Sequence, residues 1–241
     1  MRLLDVSFQS PAKNVAFDEV LLTGAEEGKA GEVLRFWESP VPFVVLGVAQ
    51  QYRREVFVER CRDDNVQIVR RCSAGGCVYQ APGCLNYTLV LERARHTQLD
   101  TIRSSYCFIL GRMAEAIRTH GLPVRHNGIS DLALRGKKVS GNAQKRRRNY
   151  ILHHGTLLYA MDLDAIGRYV REPEDRPRYR GDRSHAGFVR NLSLTADKLR
   201  AAVCAAFEVE GATVEPQEAE LEAAKLLTHE KYTDRDWTFR R

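Results

Sequence analysis

The amino-acid sequence predicts one α+β domain, with a mixed and largely antiparallel sheet flanked by helices. Segments of helical period and segments of strand character are intermixed along the 241 residues, and several strand segments follow one another closely enough to form hairpins. A doubly wound nucleotide-binding fold would require a regular alternation of strand and helix, which the sequence does not show. No Pro-, Gly- or Ser-rich linker divides the chain. We therefore expect residues 1–241 to form a single domain.

The first ninety residues or so are expected to contain two helices and four strands. The first helix is predicted from apolar residues at helical spacing, namely Val15, Ala16, Val20 and Leu21. The strands are predicted from β-branched and aromatic residues. In chain order, the predicted elements are a helix from residue 13 or 14 to residue 27, strands over residues 32–38 and 42–49, an amphipathic helix over residues 54–64, and strands over residues 66–72 and 85–92.

The rest of the chain is expected to contain four helices and four strands. The longest helix has an apolar face formed by Ile102, Tyr106, Ile109, Met113 and Ile117. Thr195 is expected to cap the start of a later helix. In chain order, the predicted elements are a helix over residues 101–120, strands over residues 122–126, 130–136, 137–144 and 150–160, and helices over residues 164–171, from residue 195 onward, and over residues 217–230.

Composition restricts the class of protein. Hydrophobic residues make up 44% of the chain, enough to form a core, and no window approaches the roughly eighteen apolar residues of a membrane span. The N-terminus has no apolar signal region, so we expect a cytoplasmic protein that does not engage a membrane. The six cysteines form no CxxC pair, which argues against a structural zinc site, and a disulfide framework is typical of small secreted chains.

The positive charge is concentrated in two segments. The net charge is +6 and the pI is about 9.1, with basic runs over residues 135–148 and 176–183. Such runs attract nucleic acid, acidic proteins or phosphorylated ligands, or they form a solvated surface. Tyr150 is the one aromatic residue near the KRRR run, so nucleic-acid binding through base stacking is disfavoured.

The segment RRCSAGG, residues 70–76, has the features of an anion-binding turn. A predicted strand ends at Arg70 and Arg71, whose forked donors suit phosphate or carboxylate. Gly75 and Gly76 allow the backbone to approach a ligand closely and to turn its N–H groups toward an anion. The Walker motif GxxxxGK[ST] is absent. The alternative is a glycine hairpin turn with surface arginines.

Two further segments contain candidate functional side chains. Lys138 lies on a short predicted strand between Gly136 and Gly141, where it can point into a cleft and stabilise developing negative charge on a phosphate or a carbonyl. The alternative is a basic surface hairpin. His153 and His154 are adjacent on a predicted strand and therefore face opposite sides. We expect one of them to be buried and hydrogen-bonded and the other to face a pocket.

Taken in order, three segments resemble the lipoate–protein ligase A family, within the wider biotin/lipoate ligase and octanoyltransferase group. They are RRxSxGG…LNYT, SDLxxxGKKVSGNAQ and HHGTLL. The resemblance extends to NVAFDEVLL, VVLGVAQ, RSHAGFVRNLSL and KYTDRDWTF, and so covers nearly the whole chain. It implies a biotin/lipoate-ligase-like catalytic domain. Biotin ligases proper resemble GRGRxxRxW in the glycine region, which this chain lacks.

The resemblance implies an ATP-dependent, AMP-forming ligation. The carboxylate of lipoate attacks the α-phosphate of ATP, accompanied by Mg²⁺, and a lysine of an acceptor domain then attacks the carbonyl of the adenylate. Lys138 is the implied catalytic residue because it would bridge the carbonyl and phosphate oxygens. Asp131 would contact the adenine or the Mg²⁺ ion. The implied substrate- and adenylate-binding residues are Arg70, Arg71, Ser73, Gly75, Gly76, Cys77, Asn86, Asp131, Ser140, Gly141, His154, Gly155 and Thr156.

Three departures from the family pattern leave alternatives open. Ala74 stands where the family usually has a glycine. Octanoyltransferases of the group use a cysteine nucleophile that lies either shortly before the GxK segment or after it. The stretch PVRHNGISDLAL before this segment has no cysteine, and Cys204, the one cysteine after it, lies in a predicted core helix, which favours adenylate chemistry. The chain ends at Arg241 without the accessory C-terminal domain of many ligases, so the resemblance implies a separate accessory subunit, the use of preformed adenylate, or a self-sufficient enzyme.

The implied partners follow from the family and from the charge. The two basic runs suit an acidic lipoyl domain or an H-protein-like acceptor. The acyl group stays open between lipoate and octanoate. The alternatives are an acyltransferase that uses acyl carrier protein or preformed adenylate, and a protein that only binds lipoate or biotin.

Overall fold

The computed structural model describes residues 1–241 and confirms the α+β architecture. The strands are β1 (Arg2–Asp5), β2 (Val33–Trp37), β3 (Phe43–Leu46), β4 (Gln67–Arg70), β5 (Val78–Gln80), β6 (Cys84–Glu92), β7 (Val124–Asn127), β8 (Asp131–Leu134), β9 (Lys137–Arg146) and β10 (Tyr150–Leu158). The α-helices are α1 (Pro11–Glu26), α2 (Tyr52–Glu55), α3 (Val58–Asp63), α4 (Ile102–Arg118), α5 (Ile166–Tyr169), α6 (His185–Phe188), α7 (Ala196–Ala206), α8 (Glu218–Leu227) and α9 (Arg235–Thr238). Short 3₁₀ turns span Arg93–Arg95 and Thr97–Leu99, and a π-helical turn spans Thr228–Tyr232.

The strands form two sheets that are mixed and largely antiparallel, as the sequence predicts. The large sheet has the order β1-β2-β6-β10-β9-β8-β7, and only β1 and β2 pair in parallel. The small sheet has the order β4-β3-β5, in which β3 and β4 are parallel. The long hairpin of β9 and β10 lies in the middle of the large sheet, so each of its two strands is paired with a neighbouring strand on both sides.

Alternation along β6 divides the core into two layers. Leu85, Leu89 and Leu91 are buried in the cluster that includes residues of α4 and α7. Val90 belongs to the cluster formed with α1 on the other side. Each fully buried aliphatic side chain contributes roughly 1.5–3 kcal/mol of hydrophobic stabilisation.

Helix α1 packs against β6 and β10 of the large sheet and against β4, α8 and the π-helical turn, so it is buried on most sides. It begins at Pro11, two or three residues before the predicted start at residue 13 or 14, because Ser10 accepts a hydrogen bond from the backbone N–H of Lys13 and Pro11 occupies the first turn. Its buried residues include the polar Asn14, Asp18 and Glu19. Buried polar groups on a helix require partners, and these partners build the site described below.

Several element boundaries differ from the sequence prediction. The helix predicted over residues 54–64 is divided into α2 and α3, because Val56 adopts an extended backbone and bridges Val170. Strands β1 and β5 are absent from the sequence prediction. Ile102 is 59% exposed instead of buried on the face of α4, and Thr101 caps that helix. Thr195 caps α7 as predicted.

None of the helices combines the length and the apolar character that crossing a bilayer requires.

His153 on β10 is the buried histidine that the sequence predicts. It has no exposed surface, and its Nδ1 lies 3.0 Å from Gln144 Nε2 while its Nε2 lies 3.1 Å from the Tyr87 hydroxyl. The amide of Gln144 donates to Nδ1, so Nε2 carries the proton of a neutral ring. Burial, followed by the charges of neighbouring histidines, lowers the pKa of His153 to about 3.

Acid should therefore destabilise the protein through His153. The pKa of this histidine is about 6.5 in the unfolded chain and lower in the folded one, so the contribution is complete above 6.5 and is lost as the pH falls toward 3. Between about pH 7.5 and about pH 5, the wild type should lose about 2 kcal/mol more free energy of unfolding than His153→Gln. Urea denaturation of both proteins at the two pH values measures this difference, with His120→Gln as an exposed control. Equal losses in wild type and His153→Gln would contradict it.

Candidate functional site

The hairpin of β8 and β9 places Lys138 at the junction of two cavities. The register of the two strands shifts between Leu132 and Ala133, next to the residue that pairs with Lys138. Lys138 Nζ lies 2.8 Å from Asp131 Oδ1, and 27% of the lysine side chain is exposed. A Cβ atom at Gly141 would lie 2.9 Å from Nζ, so glycine leaves room for the ammonium group. The charge is therefore held in place and open to a ligand.

The loop between α5 and α6 contacts the second carboxylate oxygen of Asp131. The Tyr179 hydroxyl donates to Asp131 Oδ2 at 2.7 Å. Burial, followed by the charge of Asp131, raises the pKa of Tyr179, so the hydroxyl keeps its proton. Both carboxylate oxygens of Asp131 are thus engaged. No group of three or more His, Cys, Asp or Glu side chains is arranged to hold a metal ion.

Arg71 organises the glycine turn from within. Its guanidinium is buried and donates from Nε to Ser73 Oγ at 2.9 Å, and from Nη2 to the carbonyl oxygens of Ala74 at 2.7 Å and Gly76 at 2.9 Å. These bonds fix a backbone segment that has no regular secondary structure. Arg71 therefore shapes the turn and also lines the cleft.

The glycine turn packs directly against the loop that follows β3. The backbone N–H of Val48 donates to the Ser73 oxygen at 2.9 Å. A Cβ atom at Gly47 would lie 2.0 Å from the Gly75 oxygen, and Gly75 itself has a φ of +92°. Only a glycine at residue 47 allows this close approach.

Arg70 does not line the cleft, although the resemblance implied that it would. Its side chain is fully buried, and it donates to the carbonyl oxygens of Thr238 at 2.9 Å, Gly47 at 2.8 Å and Gln50 at 2.8 Å. Arg70 and Arg71 are consecutive in an extended segment and therefore point in different directions. Arg70 joins the C-terminal segment to the loop after β3.

His154 faces the cleft and connects the turn to helix α1. Its Nδ1 lies 2.9 Å from Asp18 Oδ2 and its Nε2 lies 2.6 Å from Ser73 Oγ. Asp18 Oδ1 also accepts from Arg35 and from Thr88, both at 2.8 Å. Since the carboxylate fixes the proton on Nδ1, Nε2 accepts the hydroxyl proton of Ser73. Ser73 itself is fully buried and supports the floor of the cleft from below.

Two cavities meet at Lys138. A wide cavity of about 750 Å³ lies beside the loop between α5 and α6, and Arg176 and Arg180 of this loop line it. A narrow cavity of about 100 Å³ runs between the two sheets. The residues common to both are Gly76, Cys77, Val78, Ser130, Lys138, Gly141 and Thr156. This set forms the neck, and five of its seven residues are candidate site residues from the sequence, namely Gly76, Cys77, Lys138, Gly141 and Thr156.

The structure brings together most of the other predicted site residues. Asn86 and Gly155 line the narrow cavity, and Gly75 lines the wide one. A Cβ atom at Gly155 would lie 1.8 Å from Asn142 Oδ1, so glycine is required there. Ser140 is fully buried outside both cavities, and its hydroxyl accepts from Asn142 Nδ2 at 3.1 Å.

Several residues of the site were not predicted from the sequence, among them Asp18, Trp37, Val45, Asn142 and Tyr179. Asp18 and Asn142 lie within segments that carried the resemblance, NVAFDEVLL and SGNAQ. A polar residue inside the apolar pattern of a buried helix was the available signal for Asp18. Trp37 and Val45 carry no sequence signal beyond that of an ordinary buried strand.

The family model of the lipoyl protein ligase A/B catalytic domain matches residues 10–208. The chain belongs to this family. The resemblance inferred from the three motifs is thereby confirmed.

Relatives in this family differ in the reaction named for them. The chain is 31% identical to the octanoyltransferase LipM of Carboxydothermus hydrogenoformans, over 99% of this chain and 98% of the relative. It is 27% identical to a protein of Mycoplasma pneumoniae described as a probable lipoate-protein ligase A, over 95% of this chain and 68% of the relative. Family membership thus establishes a lipoate ligase or octanoyltransferase enzyme and leaves the choice between them to the site.

Solved structures share the fold of this chain. A lipoate-protein ligase A bound with ATP superposes with a TM-score of 0.85 at 23% identity, covering 99% of this chain and 98% of that chain. A bipartite lipoate protein ligase of Thermoplasma acidophilum, described together with its E2 lipoyl domain, gives 0.84 at 23% identity, with coverage of 99% and 95%.

Cys77 is the one cysteine of this chain that lines the cleft. Burial raises the pKa of its thiol far above the ordinary range, and nearby Arg71 offsets only part of that effect. Burial likewise raises the pKa of Cys61 to about 11 and of Cys72 to about 12. The structure therefore favours neutral thiols at these positions, whereas a nucleophilic cysteine requires the thiolate.

Replacing Gly47 should disturb the glycine turn. In Gly47→Ala, the new methyl group would overlap the Gly75 oxygen, so the turn must move, with an expected loss of about 1–3 kcal/mol of stability. Amide hydrogen exchange should be faster at residues 73–77 in this variant. Gly31→Ala is the matched control, since no atom lies within 4 Å of its added Cβ. Unchanged protection of the turn in Gly47→Ala would refute the close approach.

Proposed function

We propose that this protein is a lipoate–protein ligase that forms an acyl-adenylate and transfers the acyl group to a lysine of an acceptor lipoyl domain. The observation that carries the proposal is the position of Lys138. Its ammonium group lies at the neck between a narrow, partly apolar channel and a wide cavity lined by arginines. A reaction that joins an acyl chain to a nucleotide needs a positive charge at this junction.

The narrow cavity suits the acyl chain. Val15, Val45 and Val78 contribute apolar surface between the two sheets, and the channel opens toward Lys138. An acid bound there would place its carboxylate at the neck, because that is where the channel meets a cation. The chain would then be shielded from water while the carboxylate stays reactive.

The wide cavity suits the nucleotide and its phosphates. Arg54, Arg171, Arg176 and Arg180 line it, and arginine forks bind phosphate oxygens in pairs. The glycine turn forms part of the same wall, so its backbone can approach the phosphates closely. The solved ligase bound with ATP supports this use of the fold. A Mg²⁺ ion would be held mainly by the phosphates of ATP, since both oxygens of Asp131 are already engaged.

Lys138 would act in both steps. In the first, a carboxylate oxygen of the acid attacks the α-phosphorus, the bond to pyrophosphate breaks, and Lys138 offsets the negative charge that grows on the equatorial oxygens. In the second, the acceptor amine attacks the acyl carbonyl, AMP leaves, and the same ammonium stabilises the oxyanion. The amine proton passes to solvent or to the departing phosphate.

Octanoyl transfer from a carrier protein is the second candidate function. It is supported by the 31% identity to an octanoyltransferase over nearly the full length of both chains. That reaction requires a thiolate that attacks the donor thioester, releases the carrier thiol and holds the acyl group. Cys77 is the thiol in reach of the cleft, and its raised pKa opposes this role.

We also propose that the acceptor is an acidic lipoyl domain or a similar carrier. The basic segment over residues 135–148 includes Lys138 and extends to the exposed tip of the β9–β10 hairpin, at Arg147 and Arg148. The wide cavity is next to the second basic segment. A separate accessory subunit is part of the proposal, and the bipartite enzyme of Thermoplasma acidophilum supports it.

Intact-mass measurement of an acceptor lipoyl domain tests the proposed function. The acceptor should gain the mass of a lipoyl group with this protein, lipoate, ATP and Mg²⁺, or with preformed lipoyl-adenylate if activation needs a partner. The same rate should persist in Cys77→Ala, with Cys107→Ala as an exposed cysteine control. Octanoyl transfer from acyl carrier protein that disappears in Cys77→Ala would instead establish the thioester route.

Loss of the Lys138 charge should abolish transfer without unfolding the domain. Removing one stabilising charge from a transition state lowers the rate by about 100- to 1,000-fold, and we expect this for Lys138→Ala and Lys138→Gln. The glutamine retains a donor for Asp131. Lys137→Ala is the matched control, because this neighbour lines neither cavity. Rates from the intact-mass assay and thermal melts measure both effects. A fully active Lys138→Gln would overturn the assignment.

A further inference from the structure

A network of buried polar side chains connects helix α4 to the neck. Its members come from α4, β6, β9 and β10 and are all buried, namely Ser105, Gln144, His153, Tyr87 and Asn142. Each member forms a hydrogen bond with the next. No step of the proposed reaction uses these side chains directly. A buried polar network is costly unless every member is satisfied, so its position beside the neck calls for an explanation.

The directions of the hydrogen bonds in this network are set at the neck. Asn142 Nδ2 lies 2.7 Å from the carbonyl oxygen of Ser130, which can only accept. The amide of Asn142 is therefore oriented with its nitrogen toward Ser130 and its oxygen toward Tyr87. The Tyr87 hydroxyl donates to Asn142 Oδ1, so it has to accept from His153 Nε2, which lies 3.1 Å away.

His153 continues the network in the same direction. With its proton on Nε2, the ring accepts at Nδ1 from Gln144 Nε2 at 3.0 Å, and the Ser105 hydroxyl lies 3.0 Å from Gln144 Oε1. The other neutral tautomer would direct a proton at the Gln144 amide and leave the Tyr87 hydroxyl without a donor. Burial lowers the pKa of His153 to about 3, so the ring is neutral near pH 7. The network therefore donates in one direction, from α4 toward Ser130.

The carbonyl at the end of the network belongs to the peptide group that joins Ser130 to Asp131. Ser130 precedes β8 and lies outside the strand ladder, and the side chain of Asn142 provides its hydrogen bond. Asp131 begins β8 and lies 2.8 Å from Lys138 Nζ. Asn142 can approach because residue 155 is a glycine, where a Cβ atom would lie 1.8 Å from Asn142 Oδ1. The network thus holds the peptide group next to the partner of the reacting ammonium.

We propose that His153 and Tyr87 are positioning residues for Lys138. They act through Asn142 and the peptide between Ser130 and Asp131, which they hold in one orientation. This inference rests on the proposed role of Lys138 in acyl transfer. Loss of one hydroxyl from the network leaves a buried donor on one side and a buried acceptor on the other, so Asn142 rotates or the peptide shifts. A shift of about 1 Å in a reacting group can lower a rate by about 100-fold.

Amide hydrogen exchange tests the positioning without any reaction. In Tyr87→Phe, exchange over residues 128–134 should be about 5- to 10-fold faster than in the wild type, because the peptide after Ser130 loses its oriented partner. Helix α7 should exchange at the wild-type rate. Tyr106→Phe is the matched control, since its ring also packs against His153, at 5.4 Å, and its hydroxyl is not part of the network. Thermal melts establish that both variants are folded.

Turnover at saturating substrate tests whether the positioning extends to Lys138. Transfer from saturating lipoyl-adenylate to a lipoyl domain should have a kcat about 10- to 100-fold lower in Tyr87→Phe and in His153→Leu. His153→Gln should retain most of the wild-type kcat, because glutamine can accept from Gln144 and donate to Tyr87 in the same directions. Tyr106→Phe should retain the wild-type kcat. Rescue by glutamine separates an oriented hydrogen bond from simple filling of the core.

The proposal fails if the orientation of the network has no effect on the neck. NMR of the ring nitrogens that places the proton of His153 on Nδ1 would overturn it. Unchanged exchange over residues 128–134 in Tyr87→Phe would also overturn it, and an equal loss of kcat in Tyr106→Phe would assign the effect to ring packing. A wild type that modifies no lipoyl domain would contradict the ligase proposal, while exchange over residues 128–134 would still decide whether the network holds the neck.

Discussion

The buried carboxylate of Asp18 joins helix α1 to the large sheet, and the geometry of the cleft depends on this contact. Arg35 is fully buried and donates to Asp18 and to the backbone oxygens of Asn14 and Val6. Burial lowers the pKa of Arg35 to about 10, and the charge of Asp18 offsets part of that effect. Loss of one partner from a buried ion pair costs about 3–5 kcal/mol, because the other charge stays buried without compensation. The helix is therefore held at one position on the sheet.

The same carboxylate is also connected to the wall of the cleft through other side chains. Its second oxygen holds His154, His154 holds the hydroxyl of Ser73, and Ser73 accepts from Arg71, which fixes the glycine turn. A continuous series of hydrogen bonds thus leads from the core to the wall of the cleft. Such support keeps a binding site close to its productive geometry. The histidine works here as a positioning residue, since its ring nitrogens are both occupied.

Most of the fold was predictable because it depends on local sequence patterns. The features that were missed depend on contacts between residues that are distant in the sequence. The alternation along β6 and the cap of α7 depend on near neighbours, so the sequence predicts them. The break between α2 and α3 depends on the bridge of Val56 to Val170, which no local pattern encodes. The motifs likewise located the cleft but could not say which of two adjacent arginines faces it. Arg70 turned out to bind the C-terminal segment, and Arg71 the turn.

The fold by itself does not choose between ligase and transferase, because relatives named for both reactions share this family. The choice has to be made by side chains at the neck. There a lysine keeps part of its side chain exposed, while desolvation raises the pKa of the Cys77 thiol, which lines the same neck. Adenylate chemistry needs a fixed positive charge where two ligands meet, and thioester chemistry needs a stabilised thiolate. The partly exposed Lys138 supports the first requirement, and the raised pKa of the Cys77 thiol opposes the second.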